Sequence, residues 1–120
     1  MPTSIAVVAT DTATRERLAA LVPSDTYSVI QCAPNEMPEP HPALFIVALP
    51  GVGTPEAALI EQLRANDSTA NIPIVIASAL PMVELQSLPY ASDWTVAIVE
   101  EPVQAQVLLE TMQFLLGNNA

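Results

Sequence analysis

Three carboxylates stand at positions where they could share one site. Asp11 follows the first apolar run of the chain, and Glu100 and Glu101 follow the last. If both runs are parallel strands of one sheet, their carboxyl ends meet at one edge, where clustered negative charge could attract a weakly held cation. A lone carboxylate holds Mg²⁺ poorly, and an Asp just before a helix is a common N-cap. We therefore expect Asp11 to be a cap, with a cation site as the alternative.

The turn that contains Asp11 is rich in hydroxyl groups, with the sequence TDTAT at residues 10–14. It resembles the phosphate-binding loop of flavodoxin-like proteins, and helix N-termini do bind phosphate. However, Asp11 would repel an anion, and Ala13 replaces the glycine that lets the backbone approach it. Only Tyr90 and Trp94 could stack on a ring. Flavin or nucleotide binding is therefore an alternative function rather than the leading one.

The remaining candidate residues have simpler explanations. His41 lies among prolines, with no second His or nearby Cys at ligand spacing, so it is expected in a solvated loop. Cys32 ends an apolar run and is expected to be a small core residue. The PGVG sequence at residues 50–53 lacks the lysine and the spacing of a phosphate loop, which predicts a turn. No hydrolytic constellation is visible, so we expect neither an enzyme nor a bound cofactor or metal.

Composition narrows the possible partners. The 120 residues suit one domain spanning 1–120, and 51% hydrophobic with 13% charged residues predicts a folded chain. Three arginines and no lysine face thirteen acids, and a net charge of -10 disfavours nucleic acid and anionic membranes. A single cysteine, no signal peptide and no long apolar run predict a cytoplasmic protein.

These residues must be positioned by strands and helices, which the apolar pattern predicts. Five apolar runs rich in Val and Ile are typical of strands buried on both faces: Ile5–Ala9, Tyr27–Cys32, Ala43–Leu49, Ile74–Ala79 and Trp94–Val99. Helical spacing between most of them predicts a parallel sheet with right-handed crossovers. The predicted helices are Thr12–Val22, Pro55–Asn66 after an N-cap at Thr54, a short one at Met82–Leu88, and Val103–Leu116 with Gly117 as its stop.

One crossover departs from this pattern. Residues Ala33–Pro42 include four prolines, which remove hydrogen-bond donors and break helices, so we predict an extended segment there. Ten residues reach about 33 Å when extended, enough to return along a strand of about 17–20 Å. The predicted fold is a flavodoxin-like three-layer α/β sandwich. Its five-stranded parallel sheet has the order 2-1-3-4-5, and its second helix is missing or distorted.

The order and spacing of the strand ends resemble the receiver domain of bacterial response regulators. The matching segments are Thr10-Asp11 after the first strand, Pro50-Gly51 after the third, Ser78-Ala79 at the fourth and Glu101-Pro102 after the fifth. In that family, two acids after the first strand bind Mg²⁺, and an Asp at the end of the third strand is phosphorylated. A Ser or Thr after the fourth strand contacts the phosphoryl group, and a Lys before a Pro pairs with it.

Most of that chemistry is missing from this sequence. Only Asp11 and Ser78 match, since Thr10 replaces the first acid and Glu101 replaces the lysine. The third strand and its exit, residues 43–50, contain no carboxylate to accept a phosphoryl group, and the aromatic position of the fifth strand falls near Ile98. The resemblance implies a degenerate pseudo-receiver, with the phosphoryl switch lost. We expect a signalling or scaffold module, part of a bacterial regulator, that acts through protein–protein interaction.

The last helix is the predicted interaction surface. At 100° per residue, one arc of it faces the core: Ala105, Leu108, Leu109, Met112, Leu115 and Leu116. Val103, Val107 and Phe114 form a second apolar stripe beside an edge strand with Trp94 and Val96, which predicts a patch for a protein partner or a homodimer. The resemblance points to the same face. The alternative is that Val103 and Phe114 pack under the flanking loop and chain end.

Overall fold

The computed structural model describes residues 3–22, 26–33, 42–49, 54–66, 69–78, 96–100 and 103–118. The strands are β1 (Thr3–Val8), β2 (Tyr27–Cys32), β3 (Leu44–Ala48), β4 (Ile74–Ser78) and β5 (Val96–Glu100), and the helices are α1 (Thr12–Leu21), α2 (Pro55–Ala65) and α3 (Ala105–Asn118). All strand pairs are parallel, in the order β2-β1-β3-β4-β5. The predicted flavodoxin-like topology is confirmed.

The central strands are apolar throughout because both of their faces are covered. Every residue of β3 and β4 is buried, and the two strands pair in a register that sets Val47 beside Ile76. The edge strands are less covered: Ser28 and Gln31 of β2 are exposed, and β5 begins with three half-buried residues. Continuous burial in the middle of the sheet is what parallel strands with helices on both faces require.

Strand alternation divides the core into two layers. In the first layer, odd-numbered residues of β1 and β5 and even-numbered residues of β3 pack with Leu18 of α1 and with Leu108, Met112 and Leu115 of α3. In the second layer, the opposite face of the sheet packs against α2 through Leu59, Ile60 and Leu63. The helices of the two layers therefore never share a face of the sheet.

The helix starts follow the predicted capping residues. Thr54 accepts a hydrogen bond from the Ala57 amide at 3.3 Å and Pro55 opens α2, as the sequence predicts. The last helix differs at both ends, because it begins at Ala105 and continues through Gly117 to Asn118. The prediction that Gly117 stops the helix is wrong. Burial of Leu115 fixes the final turns by packing, which outweighs the low helix propensity of one glycine.

Three predicted segments lie outside the described residues. They are most of the proline-rich crossover, at residues 34–41, the turn at residues 50–53 and the short helix at Met82–Leu88. Within the described ranges, no helix is both long and apolar enough to cross a membrane.

Candidate functional site

The carboxyl ends of the parallel strands form one edge of the sheet, and most of the predicted pocket lies there. Thr10 and Asp11 follow β1, Ser78 ends β4, and the register of β4 with β5 sets Ser78 beside Glu100. Glu101 lies outside the described residues. The sequence therefore brings three of its four predicted pocket residues to the expected edge.

Asp11 is the N-cap residue of α1. Its carboxylate accepts hydrogen bonds from the Thr14 hydroxyl at 2.6 Å and from the Thr14 amide at 3.2 Å. These bonds, the hydroxyl first, lower the pKa of Asp11 from its ordinary value of 3.8. The predicted capping role is confirmed. The same carboxylate stands at the N-terminus of α1, where it opposes the approach of a phosphate.

Removing this cap is expected to destabilise the protein in a pH-dependent way. The folded-state pKa of Asp11 lies below the unfolded value of 3.8, so the cap stabilises fully above that pH and fails as the pH falls through the folded pKa. Asp11→Ala should lower the melting temperature by a few degrees at neutral pH and by less in acid. Asp11→Asn keeps a capping oxygen and should show a smaller, pH-independent loss. Equal melting of wild type and Asp11→Ala at neutral pH would contradict the capping role.

The Ser78 side chain is hydrogen-bonded to the backbone. It is buried, and its hydroxyl donates to the Leu49 carbonyl at 2.7 Å. The Leu49 amide in turn donates to the Ala77 carbonyl at 2.8 Å. The Leu49 carbonyl and amide therefore both form hydrogen bonds that connect the exit of β3 to the end of β4. All six side chains from Leu44 to Leu49 are apolar and buried, so this exit presents no nucleophile.

A buried carboxylate that was not among the predicted pocket residues also reaches this edge. Glu56, in the first turn of α2, is only 3% exposed, and its Oε2 accepts a hydrogen bond from the Thr10 amide at 3.2 Å. Its Oε1 is buried without a hydrogen-bond partner. A buried charge with one bonded oxygen is costly, although the positive end of α2 partly offsets that cost. An acid thus lies beside the backbone of Thr10, the residue that replaces the first acid of the receiver motif.

Arg15 forms a hydrogen bond to the carbonyl of the same peptide unit. Its Nη1 donates to the Ala9 carbonyl at 3.2 Å, and its Nη2 lies 3.4 Å from the Thr12 hydroxyl. The Ala9 carbonyl and the Thr10 amide belong to one peptide unit and point in opposite directions. Arg15 of the first layer and Glu56 of the second layer therefore form hydrogen bonds to the two polar groups of one peptide unit. We call this arrangement the peptide clamp.

A signal for the clamp exists in the sequence. Glu56 lies on the apolar stripe of α2, one turn before Leu59 and Ile60, and Arg15 lies on the stripe of α1, one turn before Leu18. A charged residue at a core position in the first turn of a helix needs a polar partner inside the protein. Helical spacing alone could have marked both residues, but not the peptide that joins them.

The predicted interaction surface is smaller than expected. Val107 is 45% and Phe114 is 65% exposed, and they are the large hydrophobic residues exposed in the described part of the chain. Val103 is half-buried against the first layer, because it precedes the helix and does not follow its 100° phase. Val96 packs on the second layer, on the opposite face of the sheet from α3. Trp94 lies outside the described residues.

Three further expectations concern single residues. Ala105 was expected on the core face of α3 but is exposed, because it is the first residue of the helix and its methyl group does not reach the sheet. Cys32 is buried in the second layer of the core, as expected. His41 lies outside the described residues. Among the residues the structure does describe, no group of three or more His, Cys, Asp or Glu side chains is placed to hold a metal ion.

The fold of the chain is similar to that of several solved structures. No protein-family model matches it, and no curated protein does. It is similar to the signal receiver domain of a histidine kinase from Syntrophus aciditrophicus, with a TM-score of 0.79 and 20% identity over 97% of this chain and 91% of that one. A response regulator receiver protein from Pseudomonas putida gives a TM-score of 0.74 and 20% identity, over 100% and 98% of the two chains. A chemotaxis protein from Vibrio cholerae gives 0.80 and 14%, over 96% and 99%.

Proposed function

We propose that this chain, which has the fold of response regulator receiver domains, is a protein-interaction module that works without phosphoryl transfer. The observation that carries the proposal is that three polar side chains at the carboxyl edge are hydrogen-bonded within the domain. Asp11 bonds to Thr14, Ser78 bonds to Leu49, and Glu56 bonds to Thr10. Each of these three side chains therefore stabilises the fold through a hydrogen bond within the domain.

The chemistry of phosphorylation gives independent support. A phosphoryl acceptor at this edge needs a carboxylate on the exit of β3, and residues 44–49 are all apolar. The charge that develops on a transferred phosphoryl group needs cations, normally a metal ion and a basic side chain. The chain has no lysine, and Arg15 is bonded to the Ala9 carbonyl. Residues 44–49 therefore offer no carboxylate nucleophile, and the sequence supplies no lysine to pair with a phosphoryl group.

The same edge argues against the flavin or nucleotide alternative. A phosphate at the start of α1 would meet the Asp11 carboxylate, which already accepts the hydrogen bonds that an anion would need. The outer face of α3, in contrast, offers Val107 and Phe114 to a partner. We therefore favour a cytoplasmic signalling or scaffold role in which binding through α3 replaces a phosphorylation switch.

Phosphorylation should fail in a direct test. Incubation with acetyl phosphate and Mg²⁺ should leave the intact mass unchanged, and beryllium fluoride with Mg²⁺ should leave the amide spectrum unchanged, because β3 offers no acceptor. A receiver domain that carries the complete motif serves as the positive control. A stoichiometric phosphoryl adduct on this chain would contradict the proposed function.

A further inference from the structure

The outer face of α3 combines two apolar side chains with a defined spacing. Val107 and Phe114 are seven residues apart, which is about two turns or 10.5 Å along the helix axis. Both are exposed and lie on one flank of the helix, away from Leu108, Met112 and Leu115, which pack into the first layer. A partner that covers both residues must present two apolar contacts at a similar distance.

One carboxylate stands between these two residues. Glu110 is exposed, and it lies one turn from Val107 in one direction and one turn from Phe114 in the other. The Gln106 amide donates to the Glu110 carboxylate at 3.1 Å, which holds the charge along the helix. Residues 103–118 contain no basic side chain. Within residues 103–118, this face is therefore an apolar pair with one negative charge between them and no basic side chain.

This charge disfavours a second copy of the chain as the occupant. In a twofold dimer the same patch is used by both copies. Whether the two α3 helices run parallel or antiparallel, the centre of one Val107–Phe114 pair faces the centre of the other. The two Glu110 side chains would then oppose each other, between two molecules that each carry a net charge of -10.

We infer that the occupant is a basic amphipathic segment of another protein. Such a segment presents two apolar side chains about two helical turns apart, to cover Val107 and Phe114, and a Lys or Arg between them to pair with Glu110. The inference rests on the proposed function, because it names the partner of the same surface. The acidic chain as a whole attracts such a segment and repels acidic competitors.

Selection from a random peptide library tests the pattern without knowledge of the natural partner. Peptides enriched on the full chain are sequenced, and the affinity of each is measured by fluorescence anisotropy for wild type and variants. We expect a basic residue between two apolar ones. Phe114→Ser should weaken binding at least about 30-fold, as for a central anchor, and Glu110→Gln about threefold, as for an exposed pair. Glu61→Gln, an equal charge change at an exposed position of α2, should change affinity less than about twofold.

The alternative outcomes separate this inference from the proposed function. Peptides that need Phe114 but carry no basic residue would overturn the inference and leave an interaction surface on α3. Self-association in sedimentation that is lost in Phe114→Ser, without basic binders, would make a second copy the occupant. If neither peptide binding nor self-association depends on Phe114, the proposed function is contradicted together with the inference. Val107→Ser repeats each comparison, and an unchanged cooperative melt shows that each variant is folded.

Discussion

Replacing Phe114 by Glu is expected to abolish partner binding while the domain stays folded. The Phe114 side chain is 65% exposed and lies outside both layers of the core, so the variant should melt cooperatively near the wild-type temperature. A buried aromatic anchor in an interface contributes about 2 kcal/mol or more, and a Glu at its centre adds the cost of desolvating a charge. The affinity should therefore fall at least about 30-fold.

The measurement is a quantitative capture from lysate of the source cells, with proteins identified by mass spectrometry. Ala58→Glu adds the same charge at an exposed position of α2 and should retain the wild-type partners. Sedimentation of the same three proteins reports any self-association. Equal capture by Phe114→Glu and wild type would remove α3 as the interaction surface. Loss of the cooperative melt would mean instead that Phe114 packs in the core.

Loss of the Glu56 carboxylate is expected to release the start of α1. Glu56→Ala removes the acceptor of the Thr10 amide and leaves a small cavity on the apolar stripe of α2. These two effects should lower the free energy of unfolding by about 2 kcal/mol. Removing the cost of burying a charge offsets part of that loss. Amide exchange at Thr10 isolates the bond itself and should accelerate more than exchange in β3.

Two variants serve as controls for this prediction. Glu56→Gln keeps an oxygen that accepts from the Thr10 amide and should unfold within about 1 kcal/mol of wild type. Glu61→Ala removes an exposed acid from the same helix and should change stability by less than about 0.5 kcal/mol. If Glu56→Ala leaves both the unfolding free energy and the Thr10 exchange rate unchanged, the peptide clamp does not contribute to stability.

The sheet could be predicted from the sequence because its central strands are continuous apolar runs. Residues 44–48 and 74–78 are buried on both faces, which only a covered parallel sheet requires. The Asp11 cap was also predictable, because its partner is the amide of Thr14, three residues later in the sequence. Such a local bond depends on a few neighbouring residues. The bond of Ser78 to the Leu49 carbonyl instead spans 29 residues and depends on the pairing of β3 with β4.

The errors arose where a local pattern was extended beyond its element. Val103 was assigned by helical phase, although the helix begins two residues later. Val96 is on an edge strand as expected, but strand alternation alone does not say which face of a sheet a residue occupies. The bond between Glu56 and Thr10 spans 46 residues of sequence and depends on how α2 packs against β1. A sequence pattern shows that such a charge needs a partner without showing which one.

The peptide clamp also bears on how the protein unfolds. Arg15 belongs to a helix of the first layer and Glu56 to a helix of the second, yet both bond to the peptide unit between Ala9 and Thr10. If either helix start leaves the sheet, one polar group of that peptide loses its partner, which destabilises the contact on the other face. The two faces of the sheet are thus joined into one foldon at this edge, and sub-global opening of one face alone is suppressed.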